Sequence, residues 1–183
     1  MVLCLMRLSR HRILRGPATA YIDIIRGIPV VVQLLIMYNV VLLNVTDNKT
    51  LVAIIAFGLN SSAYMAEIYR AGINAVDPGQ MEGGRAMGLS FATTMRKIVI
   101  PQAVKNILPT LGNEFISLIK ETSVVSFVGA TDLYVAFNYI GSNSYEFMIP
   151  YLVMALIYIV MVLLISLGIK LMERSLRKSD RRH

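Results

Sequence analysis

The feature that most constrains this chain is the apolar run of residues 147–172, which carries a single charge, Lys170, close to its end. A bilayer core takes about 20 apolar residues in helical form, so this run is long enough to cross it. Backbone groups inside lipid must bond within their own segment, which an α-helix allows. Three further segments are apolar enough to span: residues 21–43, 50–69 and 107–128. The sequence therefore predicts an all-α, polytopic transmembrane bundle in which residues 1–183 form one domain.

Composition narrows the class of protein. Hydrophobic residues make up 56% of the 183 residues and the mean hydropathy is +0.62, which is too apolar for an ordinary water-soluble domain of this size. The single cysteine, Cys4, excludes an intrachain disulfide, and with two histidines the sequence offers no Cys/His cluster for zinc. We expect no bound metal and no catalytic residues. The net charge of +7 comes from basic residues that flank apolar runs, so we expect no nucleic-acid partner.

The first predicted span is the weakest of the four. Asp23 and Arg26 are expected to pair at the helix entrance, which leaves an apolar part of residues 28–43. At about 1.5 Å per residue that part reaches about 24 Å, so we expect the helix to tilt, to thin the bilayer or to draw on the preceding turn. Residues 1–6 are apolar and run directly into a basic stretch. They resemble the end of a further span, most of which would lie upstream of Met1.

The positions of lysine and arginine predict the orientation. Of the 18 basic residues, 16 precede the apolar part of the first span, lie in the loop of residues 70–105, or lie at the end of the last span and after it, from Lys170 onward. The connections of residues 44–49 and 129–146 contain one basic residue, Lys49. Basic residues are retained on the cytoplasmic side of a membrane. Both ends of the chain are therefore expected in the cytoplasm.

Residues 70–105 form a loop much longer than a tight connection between helices requires. Asp77 and Pro78 are typical of a helix start, Gly88 suits a left-handed helix end, and Ser90 suits the cap of a second helix. We therefore predict a cytoplasmic helix, a glycine turn and a second helix. The apolar side chains expected around that turn, where a partner with a hydrophobic groove would bury them, are Met81, Met87, Leu89 and Phe91.

Several ordered motifs make the chain similar to one family of transporters. The stretch Glu82-Gly-Gly-Arg-Ala-Met-Gly88, followed by Ile98-Val-Ile-Pro101, resembles the cytoplasmic coupling loop of ABC importer permeases. Residues 26–34, 64–73 and 111–123 resemble the polar amino acid branch of that family. Together these motifs cover most of the chain.

The resemblance implies a role and a set of partners. It implies a membrane-spanning permease subunit of an ATP-driven importer in the bacterial inner membrane, moving a polar amino acid inward by alternating access. It also implies a second permease subunit, a dimer of ABC ATPases, an extracytoplasmic substrate-binding protein and surrounding lipid. No G-x-x-x-x-G-K-[ST] loop occurs in the sequence, so ATP and Mg would be bound by the ATPase, and this chain would hold no cofactor. The residues expected at the ATPase are Met81, Glu82, Gly83, Gly84, Met87, Gly88, Leu89 and Pro101.

Two departures from the family pattern have structural consequences. The family loop has Ala-Ala where this chain has Gly83 and Gly84, and each glycine costs a helix about 1 kcal/mol relative to alanine. We expect the first coupling helix to be weak until a partner docks. The family branch also has five spans per subunit, whereas this sequence shows four and the short apolar residues 1–6.

A strip of polar residues crosses the third predicted span. Glu114, Ser117 and Glu121 fall on one helical face, and Lys120 lies on an adjoining stripe. Ionisable groups at membrane depth are costly and face a protein interior or a wet cavity. They would contact a zwitterionic substrate, or Lys120 would form an ion pair, with Glu114 or with a glutamate of another helix, that only fixes helix packing. Asn60, in the middle of the second span, is a further candidate for substrate contact.

Other polar residues in the spans have simpler explanations. Glu67 and Arg70 are three residues apart and are expected to pair structurally, while Gln33 would help to line a cavity. Two other functions also fit the buried charges. An ion-coupled secondary amino acid transporter would use Glu114 and Glu121 as coupling sites, and a noncatalytic scaffold subunit would use them only to pair helices. Neither would need the coupling loop, so binding of an ATPase distinguishes them from a permease.

Overall fold

The computed structural model describes residues 1–180, with side chains through Arg174. Residues 181–183, which belong to the predicted domain of residues 1–183, lie outside the described residues. In chain order the helices are α1 (Val2–Leu8), α2 (Arg12–Gly27), α3 (Val30–Ile36), α4 (Lys49–Asn74), α5 (Pro78–Ala86), α6 (Phe91–Thr94), α7 (Ile100–Glu121), α8 (Leu133–Ser144) and α9 (Met148–Asp180). A π-helical turn at Met37–Val41 extends α3, another at Met95–Val99 joins α6 to α7, and a 3₁₀ segment at Thr122–Val128 extends α7. No strand occurs among the described residues, which confirms the all-α prediction.

Two helices, α4 and α9, are each long and apolar enough to cross a membrane. Two pairs of consecutive helices, each bent at a short break, are also long and apolar enough when each pair is taken as one span. In the first, α2 meets the run Val30–Val41 at 106°, and in the second the run Phe91–Val128 meets α8 at 56°. The two helices and two bent pairs contain most of the four predicted spans.

Residues 21–43 do not form the single tilted helix expected from the sequence, because the chain bends at Pro29. Proline has no backbone N–H and disfavours helical geometry in the residue before it, and Ile28 is accordingly extended, with φ −105° and ψ 131°. The bend leaves carbonyl groups at the end of α2 without helical partners. The Nε2 atom of Gln33 donates to two of them, at 2.6 Å from the oxygen of Ile25 and 2.7 Å from that of Ile28. A side chain thus replaces the helical bonds that the bend removes.

Helix α4 is the centre of the bundle, because α1, α2, α3 and α7 all pack against it. Its first half belongs to an apolar cluster that contains Leu34, Val52, Ala53, Ala56, Phe57, Val128 and Ala130. Further along, a second cluster contains Cys4, Ile22, Ala63 and Ala66. Near its end, Gly72 lies so close to Ile107 of α7 that a Cβ atom there would overlap that side chain. Small residues let membrane helices approach closely, and α4 uses them along its length.

Helix α9 presents most of its apolar surface outward. Its most apolar stretch, within Met148–Arg174, has no buried residue. Leu152, Leu156 and Leu163 are 62%, 60% and 62% exposed. A face of this kind is stable next to lipid or against another apolar surface, but not in water. It agrees with the prediction that the chain contacts membrane lipid.

Candidate functional site

A cavity of about 350 Å³ lies beside the turn from α2 into α3. We call it the bend cavity. Its lining residues are Arg26, Gly27, Ile28, Pro29, Val30, Asn60, Tyr64 and Glu121. The bend itself forms one wall, and α4 and the end of α7 form the others. The proline that interrupts the first predicted span therefore also creates space within the bundle.

Asn60, which the sequence predicted as a substrate contact, lines the bend cavity and is 4% exposed. Its Oδ1 atom accepts a hydrogen bond of 3.3 Å from Nε2 of Gln33. The two hydrogens of Nε2 already serve the shorter bonds to Ile25 and Ile28, so this third contact is weak and the Asn60 amide keeps both donor and acceptor groups for a ligand. Gln33 was expected to line a cavity, but it is 9% exposed and joins the bend to α4 instead.

Charged and aromatic side chains bring complementary chemistry to the bend cavity. The guanidinium carbon of Arg26 lies 5.3 Å from the ring centroid of Tyr64, which is within the range of a cation–π contact. Glu121, a predicted substrate contact, is half-buried and lines the same cavity. The cavity therefore offers a cation, a carboxylate and a buried amide, which together suit a small ligand that carries both charges.

The other residues of the predicted polar strip lie outside the bend cavity. Glu114 and Ser117 are half-buried on α7, and Lys120 is exposed. Among the residues whose side chains are described, no ion pair within 4.0 Å joins Lys120 to Glu114. Six positions along an α-helix turn the side chain by about 600°, so these two residues point about 120° apart. Their positions on one helix thus separate Lys120 from Glu114, while a pair of Lys120 with a glutamate of another helix stays a prediction.

A second cavity, of about 390 Å³, lies further along α4. We call it the Gly72 cavity. Its lining residues are Arg26, Glu67, Ile68, Ala71, Gly72, Ala75, Asn106 and Thr110. On α4, Asn60 and Tyr64 line the bend cavity, and residues later on the helix line the Gly72 cavity. On α7, Glu121 lines the bend cavity, and residues earlier on the helix line the Gly72 cavity. The two cavities therefore follow one another along both helices, and Arg26 borders each.

Glu67 lies at the centre of an ion-pair cluster that joins α1, α2 and α4. The predicted pair with Arg70 is confirmed, with Nη2 2.9 Å and Nε 3.0 Å from the carboxylate oxygens. Arg7 Nη1 lies 2.8 Å from Oε1, and Arg26 Nη1 lies 3.8 Å from Oε2. The predicted pair of Asp23 with Arg26 is absent from the described ion pairs. Asp23 contacts Arg7 at 3.2 Å instead, because α1 packs against α2 and brings that guanidinium within reach.

The loop after α4 has the predicted helix, glycine turn and helix, which are α5 and α6. Asp77 caps α5 with a hydrogen bond of 2.8 Å, and Pro78 is the first residue of that helix. Gly88 has φ +83°, the left-handed conformation expected there. Ser90 caps α6 with a hydrogen bond of 3.1 Å. The local signals in this loop thus gave the correct structure.

The glycine pair of the loop does not break α5, which runs through both residues. Gly84 is buried, and a Cβ atom there would lie 2.5 Å from Cγ2 of Thr94, which is 0% exposed. A Cβ atom at Gly83 would have nothing within 4 Å. The exposed Glu82 precedes them on the same helix. Close packing of α5 on α6 therefore explains why position 84 is a glycine, whereas no contact in the structure explains the glycine at position 83.

The apolar residues around the turn do not all face outward. Met87 is 83% exposed and Phe91 is 58% exposed, as expected for a docking surface. Leu89 is half-buried, and Pro101, in the first turn of α7, is exposed. Met81, expected at the surface, packs inward against a cluster that joins the loop to α4 and α7. The buried residues of this coupling cluster are Val76, Val99, Ala103 and Ile107.

Comparison with known proteins identifies the family. Residues 4–178 match the family described as the binding-protein-dependent transport system inner membrane component. The chain belongs to this permease family. The permease is therefore a membrane-spanning subunit of an ABC importer, it is not an enzyme, and the ATPase is a separate subunit. The family assignment favours this function over a secondary transporter or a scaffold.

Two relatives from bacteria match nearly all of the permease. The putative glutamine transport system permease protein GlnP of Rickettsia prowazekii is 38% identical over 178 residues, which are 96% of this chain and 82% of the relative. The arginine transport system permease protein ArtQ of Bacillus subtilis is 38% identical over 181 residues, which are 98% of this chain and 83% of the relative.

Solved structures show the same fold. A chain in the crystal structure of an amino acid ABC transporter with histidines is 45% identical, with a TM-score of 0.89 over 94% of this chain and 81% of that one. A chain of the MetNI methionine ABC transporter in inward-facing conformations is 21% identical, with a TM-score of 0.80 over 96% of this chain and 84% of that one. The second likeness supports the fold alone.

Sequence reasoning missed two residues of the permease that line the bend cavity, Arg26 and Tyr64. Arg26 was considered only as a pair with Asp23 and in a family motif, and Tyr64 was placed on one stripe of the second span with Asn60 but was given no role at a ligand. One signal was available, because Pro29 follows Arg26 closely and a proline within an apolar run marks a break. A break at membrane depth is tolerated where the backbone is buried in protein or lines a cavity.

Proposed function

We propose that this permease moves a polar amino acid across the inner membrane of a bacterial cell and that the bend cavity holds the amino acid. The observation that carries the proposal is the presence of a guanidinium, a carboxylate and a buried amide in one cavity. Glu121 would accept hydrogen bonds from the ammonium group, and Asn60 would donate to an oxygen of the substrate. The relatives named for glutamine and arginine transport support an amino acid as the substrate.

Three other candidates of the polar strip stay predictions. Glu114 and Ser117 share a face of α7 with Glu121 and would contact the substrate further along its path, where α7 passes from one cavity to the other. Lys120 is exposed and turned away from that face, so it would contact the substrate only where a second permease subunit closes the path. That second subunit, identical or homologous, is part of the proposed assembly.

The proposed energy source is an ABC ATPase dimer that binds ATP and Mg and grips the two coupling loops. Met87 and Phe91 would enter apolar grooves of the ATPase, with Glu82, Gly88, Leu89 and Pro101 around them. Movement of α5 would reach α4 and α7 through Met81, because that side chain packs on the coupling cluster. Both of these helices line both cavities. Closure of the ATPase dimer would thus change which side of the membrane each cavity faces.

The proposed orientation places the coupling loop and both ends of the chain in the cytoplasm. The distribution of basic residues supports it, since the connections of residues 44–49 and 129–146 carry only Lys49. An extracytoplasmic binding protein would then deliver the amino acid near residues 129–146, a segment that includes α8. In this orientation the bend cavity lies on the outer side of the Gly72 cavity.

The test is uptake into proteoliposomes that contain the permease with its ATPase and binding protein. Labelled polar amino acids are supplied in turn, with ATP inside or absent. We expect ATP-dependent uptake of at least one of them and a loss of more than tenfold with Glu121→Gln, because the ammonium group loses a charged acceptor. Glu173→Gln, which removes a carboxylate of α9 outside both cavities, serves as the control. Uptake that needs no ATP, or that is the same with Glu121→Gln, would contradict the proposal.

A further inference from the structure

The proposed function uses the charge of Arg26 but assigns its guanidinium group no contact with the substrate. Arg26 is the residue before the end of α2, and it lines both the bend cavity and the Gly72 cavity. The rise of α4 from Tyr64, in the first cavity, to Ala71, in the second, is about 10 Å. The guanidinium group of Arg26 therefore lies at the boundary between two cavities that follow one another along α4.

The guanidinium group of Arg26 is held more weakly than those of its neighbours. Its contact with Glu67, at 3.8 Å, is the longest of the described ion pairs, whereas Arg7 and Arg70 approach the same carboxylate to 2.8 Å and 2.9 Å. The side chain of Arg26 is 41% exposed, compared with 19% for Arg7 and 35% for Arg70. Arg70 donates hydrogen bonds to the Glu67 carboxylate and Arg7 approaches it to 2.8 Å, so its charge is already shared by two closer arginines. The hydrogen-bond donors of Arg26 therefore remain available for another anion.

The aromatic ring of Tyr64 gives the guanidinium group of Arg26 a defined place. The ring centroid lies 5.3 Å from the guanidinium carbon. Stacking on an aromatic face orients a planar guanidinium and leaves its edges free to bind a carboxylate with two parallel hydrogen bonds. Lysine has the same charge but cannot form this planar two-point contact. Glu121, in the same cavity, supplies the opposite charge.

We propose that Arg26 determines specificity by binding the α-carboxylate of the amino acid at the boundary between the two cavities, while Glu121 binds its ammonium group. This inference rests on the proposed function. It identifies the ligand class as compounds with a free carboxylate beside an ammonium group. An amino acid amide keeps the ammonium group and the side chain but has no carboxylate for Arg26 to bind. The permease should therefore discriminate between an acid and its amide, and the discrimination should depend on Arg26.

The test measures binding to the solubilised complex of permease and ATPase without the binding protein, which would select ligands by itself. Equilibrium dialysis compares the amino acid that the wild-type transporter takes up best with its α-amide. We expect the wild type to favour the acid by about 10- to 100-fold, the factor for a charged hydrogen bond. Arg26→Gln should reduce this ratio to about 1, and Arg26→Lys should retain part of it. Arg15→Gln, an exposed position of the same helix, should keep the wild-type ratio.

The outcomes separate this inference from the proposed function. If wild-type proteoliposomes take up no polar amino acid, the proposed function fails. If uptake occurs and Arg26→Gln keeps the wild-type ratio of acid to amide, the role of Arg26 is refuted and the proposed function stands. If Arg26→Gln does not assemble with the ATPase, the ratios of acid to amide measured for the wild type and for Arg26→Lys test the proposal instead. Equal affinity of the wild type for acid and amide, or an unchanged ratio in Arg26→Lys, would also refute it.

Discussion

The buried glycine of the coupling loop gives the sharpest test of the packing described here. Gly84 of α5 faces α6, and Gly83 beside it faces open space, so Gly84→Ala and Gly83→Ala add the same methyl group in opposite surroundings. The family pattern has alanine at both positions. Helix propensity alone would therefore predict that both substitutions stabilise α5, by about 1 kcal/mol each.

The distances at Gly84 predict a different result. A Cβ atom there would lie 2.5 Å from Cγ2 and 3.0 Å from Oγ1 of Thr94, and 3.2 Å from Cδ1 of Ile98. Carbon atoms prefer a separation of about 3.5–4.0 Å, so the overlap with Cγ2 is about 1 Å. Thr94 cannot rotate freely, because its hydroxyl donates to the carbonyl of Ser90 at 3.0 Å. Overpacking of this kind costs about 1–3 kcal/mol, which exceeds the gain in helix propensity.

Hydrogen exchange of the amides of α5 and α6, in the solubilised protein without its ATPase, measures these changes. We expect Gly84→Ala to exchange about fivefold faster or more than wild type, and Gly83→Ala to exchange about fivefold slower. Adding Thr94→Ser to Gly84→Ala removes the methyl group that overlaps and keeps the hydroxyl, so it should restore part of the protection. Slower exchange in Gly84→Ala than in wild type would refute the packing argument, because propensity would then outweigh the contact.

Three further substitutions test other parts of the structure. Gln33→Leu leaves the two carbonyls of the bend unpaired and should lower the stability to thermal unfolding by about 2–4 kcal/mol. Gln102→Leu removes an exposed bond to Gln80 and a bond to the carbonyl of Ile98, which lies within a helix, and should cost less. Glu67→Gln removes the shared charge from its arginines and should cost about 2 kcal/mol in the same measurement; an unchanged midpoint would mean that the cluster is not stabilising. Met87→Ser should weaken binding of the ATPase about tenfold or more in a titration without changing the unfolding midpoint, because this side chain is 83% exposed, and equal affinity would remove it from the docking surface.

The coupling loop was predicted well because its signals act over a few residues. A cap such as Asp77 bonds to the backbone two residues later, and Gly88 needs only its own φ angle. Met81 was misplaced, since its exposure depends on a cluster formed by α4 and α7, which lie far apart in the sequence. Long-range packing also decides which polar residues of the spans line the bend cavity. Asn60 and Glu121 do, whereas Glu114 and Ser117, on the same face of α7 as Glu121, lie outside it.

The sequence alone determined that this protein is a helical membrane bundle of the ABC permease family with a loop of two short helices joined by a glycine turn. Apolar runs, caps and a glycine turn act locally, so they can be recognised without knowing any long-range contact. Only the tertiary structure decided that residues 21–43 bend by 106°, that the two cavities follow one another along α4, and that Arg26 borders both. Each of these depends on how α2, α4 and α7 pack together. A one-dimensional pattern states which face of a helix is polar, but the neighbouring helices decide what that face meets.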